Sequence, residues 1–190
     1  RGLGDVYKRQ GIGFKATGQN LVDEIWLDRP KAPVAPILLI DQAITGMSSM
    51  DKRSAVADVL AQQGADAALI TQLDSIAWLL NIRGDDVPHL PVLLAHGLIT
   101  KEGHFTLFTD VAKMVDGFSE HVGDHVSVAP IEAFDDHLAG LSKGVSRLLV
   151  DPQSCHAHSP LICMEHGIEL VRQSDPVSYT HLTLPTNSGV

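Results

Sequence analysis

The sequence predicts a single α/β domain, a mixed β-sheet flanked by helices, and three observations carry that reading. Short apolar runs such as Ala67 to Ile70 (AALI) and Arg147 to Val150 (RLLV) alternate with stretches whose apolar residues recur at helical spacing. Lys101-Glu102-Gly103 separates two strand-like runs by the length and glycine placement of a hairpin turn, which sets one antiparallel pair in a mostly parallel layer. The chain has 190 residues and 44% hydrophobic content, enough for one core of ordinary size.

In chain order, residues 19–27 (QNLVDEIWL) read as a short helix with Asn20 at its N-cap and Leu21 and Ile25 on one face. Pro30, Pro33 and Pro36 supply no N–H to a helix or ladder, so an extended connector and a domain boundary are expected there. Residues 37–40 (ILLI) form a brief strand or arm. Ser48 and Ser49 ahead of Asp51 open a helix on Val56, Val59 and Leu60 that Gly64 closes. Ala67 to Ile70 is the central strand. Asp74 then caps a helix presenting Ile76, Ala77, Leu79 and Leu80, which Gly84 ends in the left-handed conformation. Residues 92–99 and 104–108 make the hairpin, whose register sets His96 opposite Phe108 and leaves His96 and His104 at the surface. The remainder alternates: helix 110–121, strand 126–128, helix 131–141, strand 147–150, helix 160–166 and strand 168–171.

The two ends differ from the rest. Residues 1–10 (RGLGDVYKRQ) are basic ahead of an acidic chain, and residues 176–190 (PVSYTHLTLPTNSGV) hold no ionisable side chain beyond Tyr179 and His181. Asp5 to Gln10 back-translates as GAT GTG TAT AAG AGA CAG, and its reverse complement in another frame encodes Val-Ser-Tyr-Thr-His, residues 177–181. One oligonucleotide explains both ends, and it resembles the transposase adaptor of short-read sequencing libraries. Residues 1–10 and 176–190 are therefore expected to be adaptor translations in a gene fragment. Residues 11–32 would then be the end of a preceding domain with its linker helix, and residues 33–175 the domain proper.

A formal charge of −9, with carboxylates spread along the chain, lacks the basic footprint of a nucleic-acid binder. No apolar run approaches bilayer length and no leader-like segment opens the chain, so no membrane partner and a cytoplasmic location are expected. Cys155 and Cys163 are too few for a disulfide framework and read as free thiols. The most metal-like group is Cys155, His156, His158, Cys163 and His166, yet its spacing matches no closed zinc pattern, and a helix start at Ser159-Pro160 behind a polar loop explains it. His121 and His125 read as solvated positions around Gly123. No Gly-x-Ser-x-Gly elbow is present, and Gly11-Ile12-Gly13 follows no strand, so neither serine catalysis nor a dinucleotide loop is supported. Asp23-Glu24 and Asp135-Asp136 point about 100° apart on their helices and cannot jointly grip a metal.

What remains is residues 73–92 (LDSIAWLLNIRGDDVPHLPV). A core needs the apolar half, while Arg83, Asp85 and Asp86 leave the helix end as a charged cluster. Arg83 complements a helix C-terminus, and a local Arg–Asp pair would account for the charges without function. This stretch, with residues 20–37 (NLVDEIWLDRPKAPVAPI), Gly46 and residues 51–60 (DKRSAVADVL), resembles the linker and middle domain of three-domain Xaa-Pro aminopeptidases, the aminopeptidase P family. The likeness runs from about residue 19 to 176, although residues 148–152 (LLVDP) and 167–171 (GIELV) match in pattern only. Where that family usually reads His-Asn-Pro, this chain has His89-Leu90-Pro91.

The resemblance implies a creatinase/prolidase N-terminal-like fold for residues 33–175. It implies a parent protein that removes the residue preceding proline from peptides, using two divalent ions, typically manganese, in a C-terminal pita-bread domain. No catalytic residue and no metal ligand is then expected in this chain. Its expected partners are its own catalytic domain and a peptide with proline second, with a homodimer of the full-length protein left open. Arg83, Asp85, Asp86 and His89 become substrate-entrance or domain-interface residues. Two alternatives stay open: a non-enzymatic creatinase-like protein-binding module, as in histone-chaperone subunits, and another pita-bread hydrolase such as prolidase, against which the proline-rich linker argues.

Overall fold

The structure, a computed structural model, describes residues 21–30 and 34–177. The chain divides into two compact units, residues 1–32 and 33–190. In the first, α1 (Leu21–Ile25) is one short helix. Its expected cap Asn20, the Gly11 to Gly13 segment, and residues 1–10 and 178–190 lie outside the described residues.

The second unit opens with β1 (Leu38–Leu39) and α2 (Gln42–Thr45), followed by α3 (Ser49–Gln63). Ser48 caps α3, its hydroxyl accepting from Asp51 N at 3.0 Å, and Gly64 closes it at φ +64°, as the sequence predicts. Next come β2 (Ala67–Ile70), α4 (Leu73–Leu79), β3 (Ile82–Arg83), β4 (His96–Thr100) and β5 (Phe105–Phe108). The described residues continue with α5 (Phe118–Val122), β6 (Val126–Ala129), α6 (Phe134–Gly140), β7 (Arg147–Val150), α7 (His158–Glu165) and β8 (Glu169–Arg172). The six-stranded sheet has the order β6-β5-β4-β2-β7-β8. Its β2–β4 and β4–β5 pairs are antiparallel and the other three are parallel, so the sheet is mixed. β1 and β3 form a separate two-stranded antiparallel arm.

The pleat divides the apolar residues between two cores. Ala68, Ile70, Ile99, Phe105 and Leu149 face a core shared with Val56 and Leu60 of α3, Ile76 and Leu79 of α4, and Phe118 and Val122 of α5. Ala67, Leu69, Leu98, Phe108 and Leu148 face Phe134 and Leu138 of α6 and Cys163 of α7. The product is a three-layer helix–sheet–helix domain. Val177, at the end of the described residues, packs into the first core.

Several expectations need correction. The helix expected over residues 110–121 is a 3₁₀ turn, Val111–Lys113, followed by α5, because Gly117 adopts φ +82° between them. The helix expected over residues 131–141 is α6 bracketed by two 3₁₀ turns. Asp74 lies in the first turn of α4 and does not cap it. Residues 92–95 are extended but lie outside the sheet, so β4 begins at His96. The His96–Phe108 register is as predicted.

Two buried cations hold α3 in place through carbonyl and amide oxygens. Arg53 is buried and donates to Gly103 O (2.7 Å), Val122 O (3.0 Å) and Asp124 O (2.9 Å), tying α3 to the hairpin turn and the end of α5. Lys52 is 2% exposed and donates to Trp78 O (2.9 Å) and Asn81 Oδ1 (2.5 Å), with its ammonium 4.1 Å from the centre of the Trp78 ring.

Burial, with a smaller contribution from Arg83, pushes the Lys52 ammonium down from its ordinary 10.5 to about 8. Between those values the unfolded chain still holds the proton that the folded chain has released, so stability rises with pH through that window. Denaturant unfolding at pH 7.5 and 9.5 should show this gain in the native chain and not in Lys52→Met.

Candidate functional site

The segment leaving α4 is organised by Asn81. Leu79 is the last helical residue and Leu80 its C-cap, and Asn81 turns the chain at φ +54°, a conformation asparagine tolerates better than most residues. Gly84, expected to end the helix, has an ordinary φ and serves another purpose. A Cβ placed on it would lie 2.6 Å from Val92 O and 2.8 Å from Leu93 Cα. Only glycine lets residues 82–86 run against residues 91–94, where Gly84 N meets Pro91 O at 3.4 Å and Asp86 N meets Val92 O at 3.3 Å.

From there the side chains alternate as on any extended segment. Arg83 and Asp85 project outward. Asp86 turns inward, and the local Arg–Asp pair expected from the sequence is not formed. The Asp86 carboxylate Oδ2 accepts from Lys113 Nζ (2.6 Å) and Leu94 N (2.6 Å), with the two side chains 1% and 3% exposed. Arg83 Nη1 donates to Ile82 O (2.8 Å) and Ala77 O (3.3 Å), the latter a carbonyl in the last turn of α4, which agrees with the expected helix-end role. Val87 to Leu90 then closes a tight turn, Leu90 N donating to Val87 O at 3.0 Å. Pro88 takes its second position and His89 its third at φ +67°, the arrangement of a type II turn.

These segments enclose an open cleft of about 460 Å³ lined by Pro36, Leu38, Arg83, Asp85, His89 and Pro91 among others. The structure thus gathers three of the four predicted residues, Arg83, Asp85 and His89, and leaves Asp86 behind the wall. The walls are apolar, Leu38 and Leu90 being 62% and 55% exposed, and the polar groups are one guanidinium, one carboxylate and one imidazole. Sequence reasoning missed Asn81, Lys52 and Lys113, the residues that hold the cleft. Asn81 carried a legible signal, an asparagine directly after an apolar helix. The two lysines carried none.

The other predicted clusters resolve differently. His96 is half-buried, stacked on Phe134 with ring centres 4.4 Å apart and edge-on to His156 at 5.7 Å, which corrects its surface assignment. Burial pushes its pKa down. His121 is also engaged, with Nε2 3.0 Å from Asn81 O. Cys163 is a core residue, and burial pushes the Cys155 thiol up to about 11. Among the described residues, no group of three or more His, Cys, Asp or Glu is placed to hold a metal ion.

A three-layer α/β domain on a mixed sheet, with a preformed cleft beside a two-stranded arm, is the class that fold and site define. The chain belongs to the creatinase/prolidase N-terminal domain family, whose profile matches residues 28–182. A probable Xaa-Pro aminopeptidase P of Leptosphaeria maculans is 35% identical over 143 residues, 75% of this chain and 24% of the relative. Its counterpart in Laccaria bicolor is 36% identical over 126 residues, 66% of this chain and 19% of the relative. Among solved structures, an X-prolyl aminopeptidase from Caenorhabditis elegans, described as a cytosolic enzyme with a di-nuclear active site, superposes with a TM-score of 0.77 at 26% identity, covering 89% of this chain and 28% of that one. The chain therefore spans about a quarter of the length of such relatives.

Asp86→Ala leaves the Lys113 ammonium buried without its partner and should destabilise the domain by about 3–5 kcal/mol. Asp85→Ala, one residue away and exposed, should stay within about 0.5 kcal/mol; denaturant midpoints compare the two. His89→Gly removes a side chain from a left-handed position and should raise stability by about 1 kcal/mol, read as a higher Tm.

Proposed function

We propose that this chain is the non-catalytic middle domain of a metal-dependent Xaa-Pro aminopeptidase, a cytosolic enzyme that removes the N-terminal residue preceding proline. Residues 33–175 form that domain, and residues 11–32 close the domain before it and supply the linker helix. The observation that carries the reading is the superposition on the C. elegans enzyme over 89% of this chain, and the identity to the fungal relatives supports it.

The metal pair, manganese in this reading, belongs to the catalytic domain. The described residues offer no group of three or more ligands for such a pair, so no step of hydrolysis is assigned to them. Their contribution is to wall and shape. Pro36, Leu38 and Pro91 give the cleft an apolar surface, and Arg83, Asp85 and His89 give it donors and an acceptor at the substrate entrance or against the catalytic domain.

The isolated chain should not cleave an Xaa-Pro peptide when manganese is added, whereas the full-length parent should. Turnover by the isolated chain, or none by the parent, would overturn the reading. In an intact homologue, alanine at the position of Arg83 should lower kcat/KM for peptides roughly tenfold, as expected for loss of one charge-assisted contact. Unchanged kinetics together with unchanged stability would remove Arg83 from the entrance.

A further inference from the structure

The cleft beside the two-stranded arm contains a guanidinium with one edge held and one edge open. Arg83 is half-buried, and both bonds it makes use Nη1, to Ile82 O at 2.8 Å and Ala77 O at 3.3 Å. That anchoring fixes the plane of the group. Nε and Nη2, the edge that matches the two oxygens of a carboxylate, make no hydrogen bond among the described residues. Two aspartates follow directly in the chain, yet Asp86 is taken by Lys113, and no ion pair among the described residues joins Arg83 to Asp85.

The surroundings favour a single negative charge. Arg83 lies close enough to Lys52 to lower the pKa of that ammonium, whose own bonds go to a carbonyl and an amide oxygen. Two cations therefore stand together in a chain of formal charge −9, and a carboxylate bound at Arg83 reduces the repulsion that both carry. Asp85 and the apolar walls of Pro36, Leu38, Leu90 and Pro91 count against a multiply charged phosphate and suit a carboxylate attached to a hydrocarbon side chain. At about 460 Å³ the space falls in the range of sites for small ligands.

We infer that the cleft holds the free C-terminal carboxylate of a short peptide with an apolar last residue, Arg83 taking the two oxygens while Leu38 and Leu90 flank the side chain. The choice of a peptide among carboxylates rests on the peptidase reading; the carboxylate itself rests on the geometry of Arg83. In the parent enzyme such an anchor spends binding energy remote from the scissile bond, and it favours peptides whose length lets the carboxylate reach Arg83.

Titration of the peptide Ala-Pro-Leu and of its C-terminal amide into the isotope-labelled 190-residue chain, followed by backbone amide NMR shifts, tests it. The acid should shift residues 83–90 and bind about tenfold more tightly than the amide. Arg83→Ala should abolish that difference and Arg83→Lys should keep only part of it, whereas Arg172→Ala, at the exposed end of β8, should leave it intact. Asp85→Asn removes a like charge and should tighten the acid by about twofold, a gain that a misfolded chain cannot show. In the parent enzyme the acid should have the lower KM, and alanine at Arg83 should make the two equal. Equal binding of acid and amide, shifts confined to another part of the chain, or a difference that survives Arg83→Ala overturns the inference, whatever the parent cleaves. A parent without activity, with the difference intact in this chain, overturns the peptidase reading and leaves the carboxylate site standing.

Discussion

The contact between the Lys52 ammonium and the Asn81 side chain joins α3, the end of α4 and the two-stranded arm, and the geometry of the cleft depends on it. Asn81 is 2% exposed, and every polar group it has is used. Its Oδ1 accepts from Lys52, its Nδ2 donates to Met47 O at 2.8 Å, its N–H reaches Trp78 O at 3.3 Å, and its carbonyl accepts from Ile40 N at 2.9 Å. Few residues meet all of these demands. An aspartate would satisfy Lys52 and lose the donor to Met47; a glycine would keep the backbone turn and abandon a buried ammonium; a longer amide would not tolerate the left-handed backbone as well.

Farther along, the cleft is framed by the buried Asp86–Lys113 pair. Such a pair adds little net stability over an apolar packing of equal shape, because both charges are stripped of water, but it fixes position strongly. Asp86 Oδ2 also takes Leu94 N, and Lys113 O takes Ile37 N at 3.0 Å. One wall of the cleft follows Ile37 and the other follows Asp86, so a single ion pair sets the spacing of both walls. Gly84 sets the third dimension by allowing backbone against backbone.

Several short-range signals in the sequence hold in the structure, while the long-range contacts leave little trace in it. The Ser48 cap, the Gly64 stop, the hairpin register and strands β2 and β7 each rest on a few adjacent residues, and all appear where expected. A glycine after an apolar helix is ambiguous: it can end the helix or admit a neighbouring backbone, and Gly84 does the second, its neighbour Val92 to Leu93 being recognisable only from the fold. The fate of Asp86 follows from that choice. On a helix end the three charges form one cluster, whereas on an extended segment residues 83 and 85 share a side and residue 86 takes the other. Lys52, Arg53 and Lys113 are of residue types that ordinarily stay at the surface, yet all three are buried. Their burial depends on carbonyl and carboxylate partners 26 to 71 residues away, for which the sequence carries no local trace.

The departure from the aminopeptidase P pattern at Leu90 can now be weighed on geometry. The turn bond from residue 90 uses its backbone N–H, so neither the turn nor the fold needs an asparagine side chain there. What the substitution alters is the wall: where an amide would offer a donor and an acceptor, Leu90 offers an apolar surface that is 55% exposed. A leucine left half in water forgoes part of the roughly 1.5–3 kcal/mol that full burial would contribute, and the recovery is available to whatever occupies the cleft. Together with Leu38 and the prolines it makes the cleft wall largely apolar, with Arg83, Asp85 and His89 as its polar groups. Because the cleft's backbone is pinned by the Asp86 pair and by Gly84, the proposed entrance would select by fit and by the cost of leaving those three polar groups unpaired.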